Sequence, residues 1–509
     1  MKKIKFTWII IFLLGFGLRS TYISHPIDTA SWRESDIASI ARNYYRHNMD
    51  FFHPQIDWGG KGPGYTEMEF PIYPYLIASS YKIFGLHEMA GRIISLLFSL
   101  AAMLVFFRFS KFLFNDRTAL VVSALFAINP LLNIVSDAIQ PESVMFFFYV
   151  SAAYAFLRWI DDQSQKYYIL ALMCTALALL VKISAAHIGI LFVLLIITKK
   201  NWRFLFNPKV LLFGVFSIVP SIIWYGYAHH FYVQYGNSLG LSNEYAWVGW
   251  DFFTDPYFIK GIIKLELHNV WTIAGPLIII LAIFSTKIIK NPAAKFSFYW
   301  LAATAVFYII ASRTTADSWA YYYHIFSVPA ASILIGSSIM AIYDKYFPVL
   351  KFKADTLPNF SFLVINSALL LLLAIFVVFQ VYLSSKYIIQ NKRMAFQTSK
   401  YYASARTLSD LIPKGSIILA SGFVCEDNKG YPTAYNSSYF FYWLDRKGFN
   451  ICIEAQSIEN VNSFHKKGAA FFIAEKSALK KKSGFEKELK TRFDAIYEDN
   501  GILVFHIAQ

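Results

Sequence analysis

Apolar runs of roughly 17 to 25 residues, the length a helix needs to cross the hydrocarbon core of a bilayer, recur along most of this chain. They fall near residues 6–23, 89–108, 117–136, 142–160, 167–182, 184–198, 209–228, 271–287, 296–312, 322–343 and 360–384, which predicts about eleven spans. Composition agrees: with 56% hydrophobic and only 16% charged residues, a chain of 509 residues has too little polar surface to cover a soluble globule. The lysines and arginines gather in short stretches between the runs. If MKKIK lies in the cytoplasm, then Arg108/Lys111/Arg117, Arg158/Lys166, Lys199/Lys200/Arg203/Lys209, Lys287/Lys290/Lys295 and Lys345/Lys351/Lys353 all return to that same side. This arrangement accounts for the net charge of +15 through membrane orientation and leaves no role for nucleic acid. The first run has the charge layout of a signal peptide, but Arg19-Ser20-Thr21-Tyr22 offers no small-x-small cleavage site, so it reads as an uncleaved span. The expected fold is an α-helical polytopic protein of the cytoplasmic (inner) membrane, multi-pass, with its N-terminus in the cytoplasm.

The opposite face collects a different set of residues. It receives an opening loop over residues 24–88, the segment Asp-Ala-Ile-Gln-Pro-Glu at 137–142, a turn at 182–186, a long loop at 229–269, the segment 312–324 and everything after about 385. Polar and acidic groups from separate loops thus converge on one surface, as a catalytic or binding cavity requires. Beyond residue 396 the composition changes. Short β-like runs at 416–420, 449–453, 469–473 and 503–506 alternate with polar, lysine-rich helical stretches. Two domains follow: a membrane core over 1–395 and a small non-cytoplasmic α/β domain over 396–509. The compartment permits a disulfide between Cys425 and Cys452, while Cys174 lies in an apolar run and reads as a small hydrophobe.

The opening loop carries the densest chemistry. Ser31-Trp32-Arg33-Glu34 fits a capping box, which starts a helix and gives Glu34 a structural occupation on the backbone N–H of Ser31. Asp36 lies just beyond, near the positive helix end, where a carboxylate stays ionised and can act as a general base. Ile37, Ile40, Ala41 and Tyr44 form an apolar stripe that reads as packing. The stretch Gly59-Gly60-Lys61-Gly62-Pro63-Gly64 is not a phosphate-binding P-loop, because its spacing is wrong and no strand precedes it. Lys61 is open to two readings, a mobile lid or lipid-headgroup contact and a solvated loop. Glu69, in Glu69-Phe70-Pro71, sits where the chain dips toward lipid, a costly place for a carboxylate without a partner or ligand. Lys182 closes the run Leu-Ala-Leu-Ala-Leu-Leu-Val and either snorkels to headgroups or holds a substrate phosphate. Tyr321-Tyr322-Tyr323-His324 opens a late span; its tyrosines suit an interfacial belt, and His324 is either a satisfied histidine or a metal or phosphate contact.

Taken together, WRESDIASIARNYY, EMEFPIYPYL, the span-closing Lys182 and the late aromatic-His segment resemble the GT-C glycosyltransferases, over residues 1–345. The likeness is to the family 39-like branch that holds protein O-mannosyltransferases and the aminoarabinose transferases of lipid A. It implies a sugar transfer from a polyprenyl-phosphate donor to a hydroxyl acceptor on protein, lipid or glycan, with inversion. By the resemblance the catalytic carboxylate is Asp36, with Glu34 second. Relatives often present an Asp-Glu pair here, whereas this chain has Arg33-Glu34-Ser35-Asp36. Glu69 corresponds to an acidic residue shaping the donor or metal site, Lys182 to a lysine near the lipid phosphate, Tyr322 and His324 to a pocket-lining motif, and Glu142 to a second acidic site. Arg42 and Arg92 are further candidates to neutralise the phosphate. The partners implied are the lipid-linked sugar, the acceptor and membrane lipids. No cofactor is certain; a divalent metal stays open, since a carboxylate pair plus His324 is too little to predict one. The rival reading is a polytopic transporter or lipid flippase, which should carry ionisable groups near mid-membrane and paired repeats. Here the polar groups cluster at one face, and no repeat is evident.

Overall fold

The computed structural model describes residues 2–21, 23–27, 32–242, 249–286, 288–346, 367–368, 371, 374–383, 386, 402–427 and 430–508. Ser31, and with it the capping box, lies outside these residues, as does the expected domain boundary at 395/396.

The membrane part runs through helices α1 (Lys2–Ser20), α2 (Trp32–Arg46), α3 (Ile72–Phe84), α4 (Met89–Leu113), α5 (Asp116–Ala127), α6 (Pro130–Val135), α7 (Glu142–Asp162), α8 (Gln165–Val181), α9 (Ile188–Lys199) and α10 (Pro208–Tyr235). It continues with α11 (Asp251–Thr254), α12 (Pro256–Leu265), α13 (Ala274–Ser285), α14 (Pro292–Ile310), α15 (Ser312–Thr315) and α16 (Val328–Tyr346). Several starts share one local cause. Asn129-Pro130, Asn207-Pro208, Asp255-Pro256 and Asn291-Pro292 each place a side-chain acceptor at the cap and a proline at the first helical position. The cap binds a free N–H of the first turn, and the proline lacks the N–H that would otherwise go unsatisfied.

Among the described residues five helical stretches are long and apolar enough to cross a membrane, or six if the pair Pro256–Val270 and Ala274–Ser285, bent by 89°, counts as one. The count of about eleven is therefore not confirmed, for identifiable reasons. The run at 117–136 breaks at Asn129-Pro130 into α5 and α6. The runs at 167–182 and 184–198 appear as shorter apolar helices, Gln165–Val181 and Ile183–Lys199, and 360–384 is described as helix mainly over Ala374–Leu383. The long spans turn apolar side chains outward: α10 exposes Leu211, Phe216, Ile222 and Ile223, as a face against lipid tails does. Arg19 of α1 is the opposite case, fully buried; it donates to Ser99 Oγ at 3.1 Å and to the Ala127 carbonyl at 2.6 Å, filling acceptors left free where α5 ends.

Helix α2 has no membrane-spanning character, yet every residue from Arg33 to Tyr44 is buried. It is covered on one side by the membrane core and on the other by the C-terminal domain. That domain is a five-stranded sheet of order β2-β1-β3-β5-β4, with β1 (Ile417–Ser421) parallel to β2 (Gly448–Ile451) and β3 (Ala469–Glu475), and β5 (Ile502–His506) antiparallel to β3 and β4 (Asp494–Asp499). Four of these strands match the runs read from the sequence. The edge strand β4 was not expected, because Asp-Ala-Ile-Tyr-Glu-Asp has no alternating apolar face and most of it is exposed. Cys425 and Cys452 are joined in a disulfide.

The domain grips the opening loop through α17 (Ser438–Leu444). Arg42 of α2 pairs with Asp57 at 2.7 Å and donates to the Tyr442 carbonyl at 2.6 Å. Gly60 and Asp57 exchange backbone hydrogen bonds with Gly448 at 2.7 and 2.9 Å, and the Cβ of any residue at 60 would lie 2.5 Å from the Phe449 ring. Arg42→Ala should lower stability by about 3–5 kcal/mol, because it leaves the buried Asp57 charge without its cation. The half-exposed Asp445, which pairs with Arg42 and Arg46, should matter far less, by under about 1 kcal/mol in Asp445→Asn. Thermal unfolding of the two purified variants checks the order; equal losses would contradict it.

Candidate active site at the head of an apolar cavity

Four charged side chains from four elements meet at one end of the membrane core. Arg33 comes from the first turn of α2 and Glu142 from the first residue of α7. Lys182 follows the last residue of α8, and Glu69 stands two residues before the N-cap of α3, Pro71. The loop that carries Glu69 is held rigidly. Ile56 N–H and the Gly64 carbonyl bond at 2.8 Å; Gly64 has φ +77°, and a Cβ there would press to 2.3 Å from the Ile56 carbonyl, so glycine is required. Glu67 pairs by its backbone with residues 237 and 239, and Phe70 N–H reaches the Leu180 carbonyl at 3.1 Å, which fixes Glu69 against the end of α8.

The four groups form two buried ion pairs, Arg33 with Glu69 and Lys182 with Glu142. Tyr322 and Tyr323 stack on the Lys182 ammonium at 4.6 and 4.5 Å, so these rings cover a buried cation and are not an interfacial belt. Arg33 also donates to the Leu239 carbonyl at 2.9 Å. Burial opposes the charge on Arg33, but the Glu69 and Glu142 carboxylates outweigh it and raise its pKa. The second oxygens of Glu69 and Glu142 are buried with no hydrogen-bond donor among the described residues. Such atoms cost free energy until a ligand or water binds them.

A cavity of about 390 Å³ opens from this cluster. Glu69, Lys182, Ser184, His187 and Tyr323 are the polar members of its lining, and Ile190, Leu241, Val306, Phe307 and Ile310 make up much of its wall. The lining suits an amphiphile: an anionic head against Lys182 and an apolar tail along the wall.

Asp36 lies one helical turn beyond Arg33 and is 1% exposed, but it does not line the cavity. Its Oδ1 accepts from the Trp58 indole N–H at 2.8 Å and its Oδ2 from the Asn436 amide at 3.4 Å. Burial pushes its pKa up to about 7, against the pull of the Trp58 and Asn436 hydrogen bonds and of the Arg33 charge; Asp57 adds to the rise. A carboxylate near half ionisation at neutral pH is well matched to taking a proton.

The remaining predicted residues lie elsewhere and are occupied structurally. Glu34 accepts from Arg92 at 3.2 Å and from the Ile139 N–H at 3.0 Å, and Arg92 donates to the Asp137 carbonyl at 2.8 Å; the pair ties α2 to the segment before α7. Arg42 holds the C-terminal domain, and the ammonium end of Lys61 lies over Gly468 of that domain. His324 is fully buried between Glu266 at 2.6 Å and the Thr315 carbonyl at 2.8 Å. Glu266 also accepts from Tyr308, Ser327 and Trp271, so His324 belongs to a polar knot at the bend between α12 and α13, as a satisfied histidine. Among the described residues the one metal-sized group is Cys425, Cys452 and Glu454, and its two cysteines are bonded to each other.

Sequence reasoning missed Arg33, Tyr323, Trp58 and Asn436 as site residues. The three-residue spacing of Arg33 and Asp36, which puts them on one helix face, was the readable signal. Asn436 had none, because it reaches the site from 400 residues away.

The family described as dolichyl-phosphate-mannose-protein mannosyltransferase matches residues 66–224. No curated protein matches the chain. Among solved structures, ArnT from Cupriavidus metallidurans bound to undecaprenyl phosphate is similar over 99% of this chain and 98% of its own, with a TM-score of 0.64 and 13% identity. An Archaeoglobus fulgidus oligosaccharyltransferase tethered to an acceptor peptide covers 99% of this chain and 74% of its own, with a TM-score of 0.58 and 12% identity. The archaeal oligosaccharyltransferase AglB from the same organism, in complex with an inhibitory peptide and a dolichol-phosphate, gives 0.56 at 12% identity, with the same coverage. At these identities the likeness establishes the fold, and it extends over the C-terminal domain, beyond the 1–345 of the sequence resemblance.

Proposed function

We propose that this chain is a membrane glycosyltransferase of the GT-C superfamily, that it moves a sugar from a polyprenyl-phosphate donor to a hydroxyl acceptor, with inversion, and that Asp36 is its general base. The observation that carries this reading is a buried cation, Lys182, in the lining of a mostly apolar cavity, beside Glu69, whose ion-pair partner Arg33 is a second buried cation. The lipid would lie along the wall with its phosphate near Lys182 and Arg33. The lipids bound in the two similar structures, undecaprenyl phosphate in ArnT and dolichol-phosphate in AglB, support that class of donor.

Phosphate is a competent leaving group, so the bond from the anomeric carbon to the phosphate oxygen breaks with its electron pair going to the lipid phosphate. The cations offset the charge that develops there. The acceptor oxygen attacks from the other face of the sugar and passes its proton to Asp36. Glu69 and Glu142 keep the cations fixed, and their free oxygens are available to sugar hydroxyls. The short basic loops support a cytoplasmic N-terminus, with the site and the C-terminal domain on the outer face.

Mass spectrometry of envelope glycans and lipids from cells with and without this chain tests the function directly. One class of molecule should lose the mass of a single sugar. Identical spectra in the two strains would count against sugar transfer.

A further inference from the structure

We propose that the C-terminal domain completes the catalytic base: Asn436 from that domain and Trp58 from the opening loop hold the Asp36 carboxylate, one on each oxygen, and position it for proton transfer. This rests on the reading of Asp36 as the base. Both Asn436 and Asp36 are almost wholly buried, at 2% and 1% exposure, so solvent does not compete for the contact. Nor is Asn436 a chance neighbour. The next residues are pinned on both sides: Ser437 Oγ donates to the Ser421 carbonyl of β1 at 2.6 Å, and Ser438 Oγ donates to the Trp32 carbonyl of α2 at 2.6 Å. Asn436 therefore stands on a short bridge between the end of a sheet strand and the start of the catalytic helix.

The chemistry of the donors fits the task. A cation in direct contact would hold Asp36 ionised but make it a poor base, whereas two neutral N–H donors orient the carboxylate and favour its charged form only modestly. The charges that reach Asp36 are Arg33, on its own helix, which lowers its pKa, and Asp57, from the loop, which raises it. Arg42 is committed to Asp57, and Asp445, at the end of α17, to Arg42 and Arg46. The domain thus contributes a dipole to the base without contributing a charge.

The test titrates Asp36 in the full-length protein by infrared difference spectroscopy, subtracting Asp36→Asn to isolate its carboxyl band, and compares the acid limb of transfer from a synthetic polyprenyl-phosphate mannose. In Asn436→Ala, and in Trp58→Phe, which keeps the ring and loses the donor, the midpoint should rise by about 0.5 to 1 unit. The acid limb should follow by the same amount with donor KM unchanged. If Asn436→Ala does not fold, Asn436→Ser takes its place. An unmoved midpoint at position 436 overturns the proposal, whatever Trp58→Phe does. Transfer surviving in Asp36→Asn would instead remove the base reading while leaving the infrared result to stand, so the two failures are distinct.

Discussion

Asp36→Asn should reduce sugar transfer by about 10²–10⁴-fold, the range general base catalysis contributes, while the protein folds and still binds its donor. The amide keeps one oxygen for the Trp58 N–H, but it cannot take a proton, so the loss should fall on kcat and not on donor KM. The pH dependence gives a second reading of the same residue. A base with a pKa near 7 is ionised above that value and protonated below it. Wild-type activity should therefore hold above about pH 7 and fall about tenfold for each unit below, and the residual activity of Asp36→Asn should lack that limb. A variant that keeps the limb would assign it to another group.

The second large effect concerns the pair Lys182 and Glu142, both nine-tenths or more buried. Lys182→Met removes the ammonium and leaves the Glu142 charge in a low-dielectric site, which should cost about 3–5 kcal/mol of stability. It should also raise donor KM by about 10–100-fold, the worth of one lost hydrogen bond to a charged group. The double variant Lys182→Met with Glu142→Leu separates the two losses. It removes both charges, so stability should largely return; it restores no cation, so donor affinity should not. Recovery of both would show that Lys182 is only a structural partner of Glu142. This contrast matters because a buried ion pair is weak evidence for stability on its own.

What the sequence made legible follows from the kinds of signal it carries. Apolar run length is a local property, so the membrane class and helices such as Met89–Leu113 and Glu142–Asp162 were readable. Charge in short loops sorts segments by side, and that sorting puts Glu69, Glu142, Lys182 and Tyr322 on one face; the structure places those four around one cluster. The strands β1, β2, β3 and β5 have apolar faces and showed as short runs, while β4, an exposed edge, had none to show. Sequence and structure part where a charged residue has two plausible occupations. Glu34, Arg42, Arg92 and His324 carry chemistry suited to a substrate, but each is consumed by a partner far along the chain, Arg92, Tyr442, Asp137 and Glu266 among them. Nothing in a local pattern announces such a partner. For the same reason the contribution of Asn436 to the environment of Asp36 could not be seen in the sequence, although the helix start that carries Asp36 could.

The most direct test of the account is to place the purified chain in proteoliposomes with polyprenyl-phosphate sugars and a crude envelope acceptor fraction, and to follow free polyprenyl phosphate together with the anomeric configuration of the product. The account predicts release of the lipid phosphate in step with an inverted product, both lost in Asp36→Asn. Equal release by wild type and Asp36→Asn, or a product of retained configuration, would contradict it.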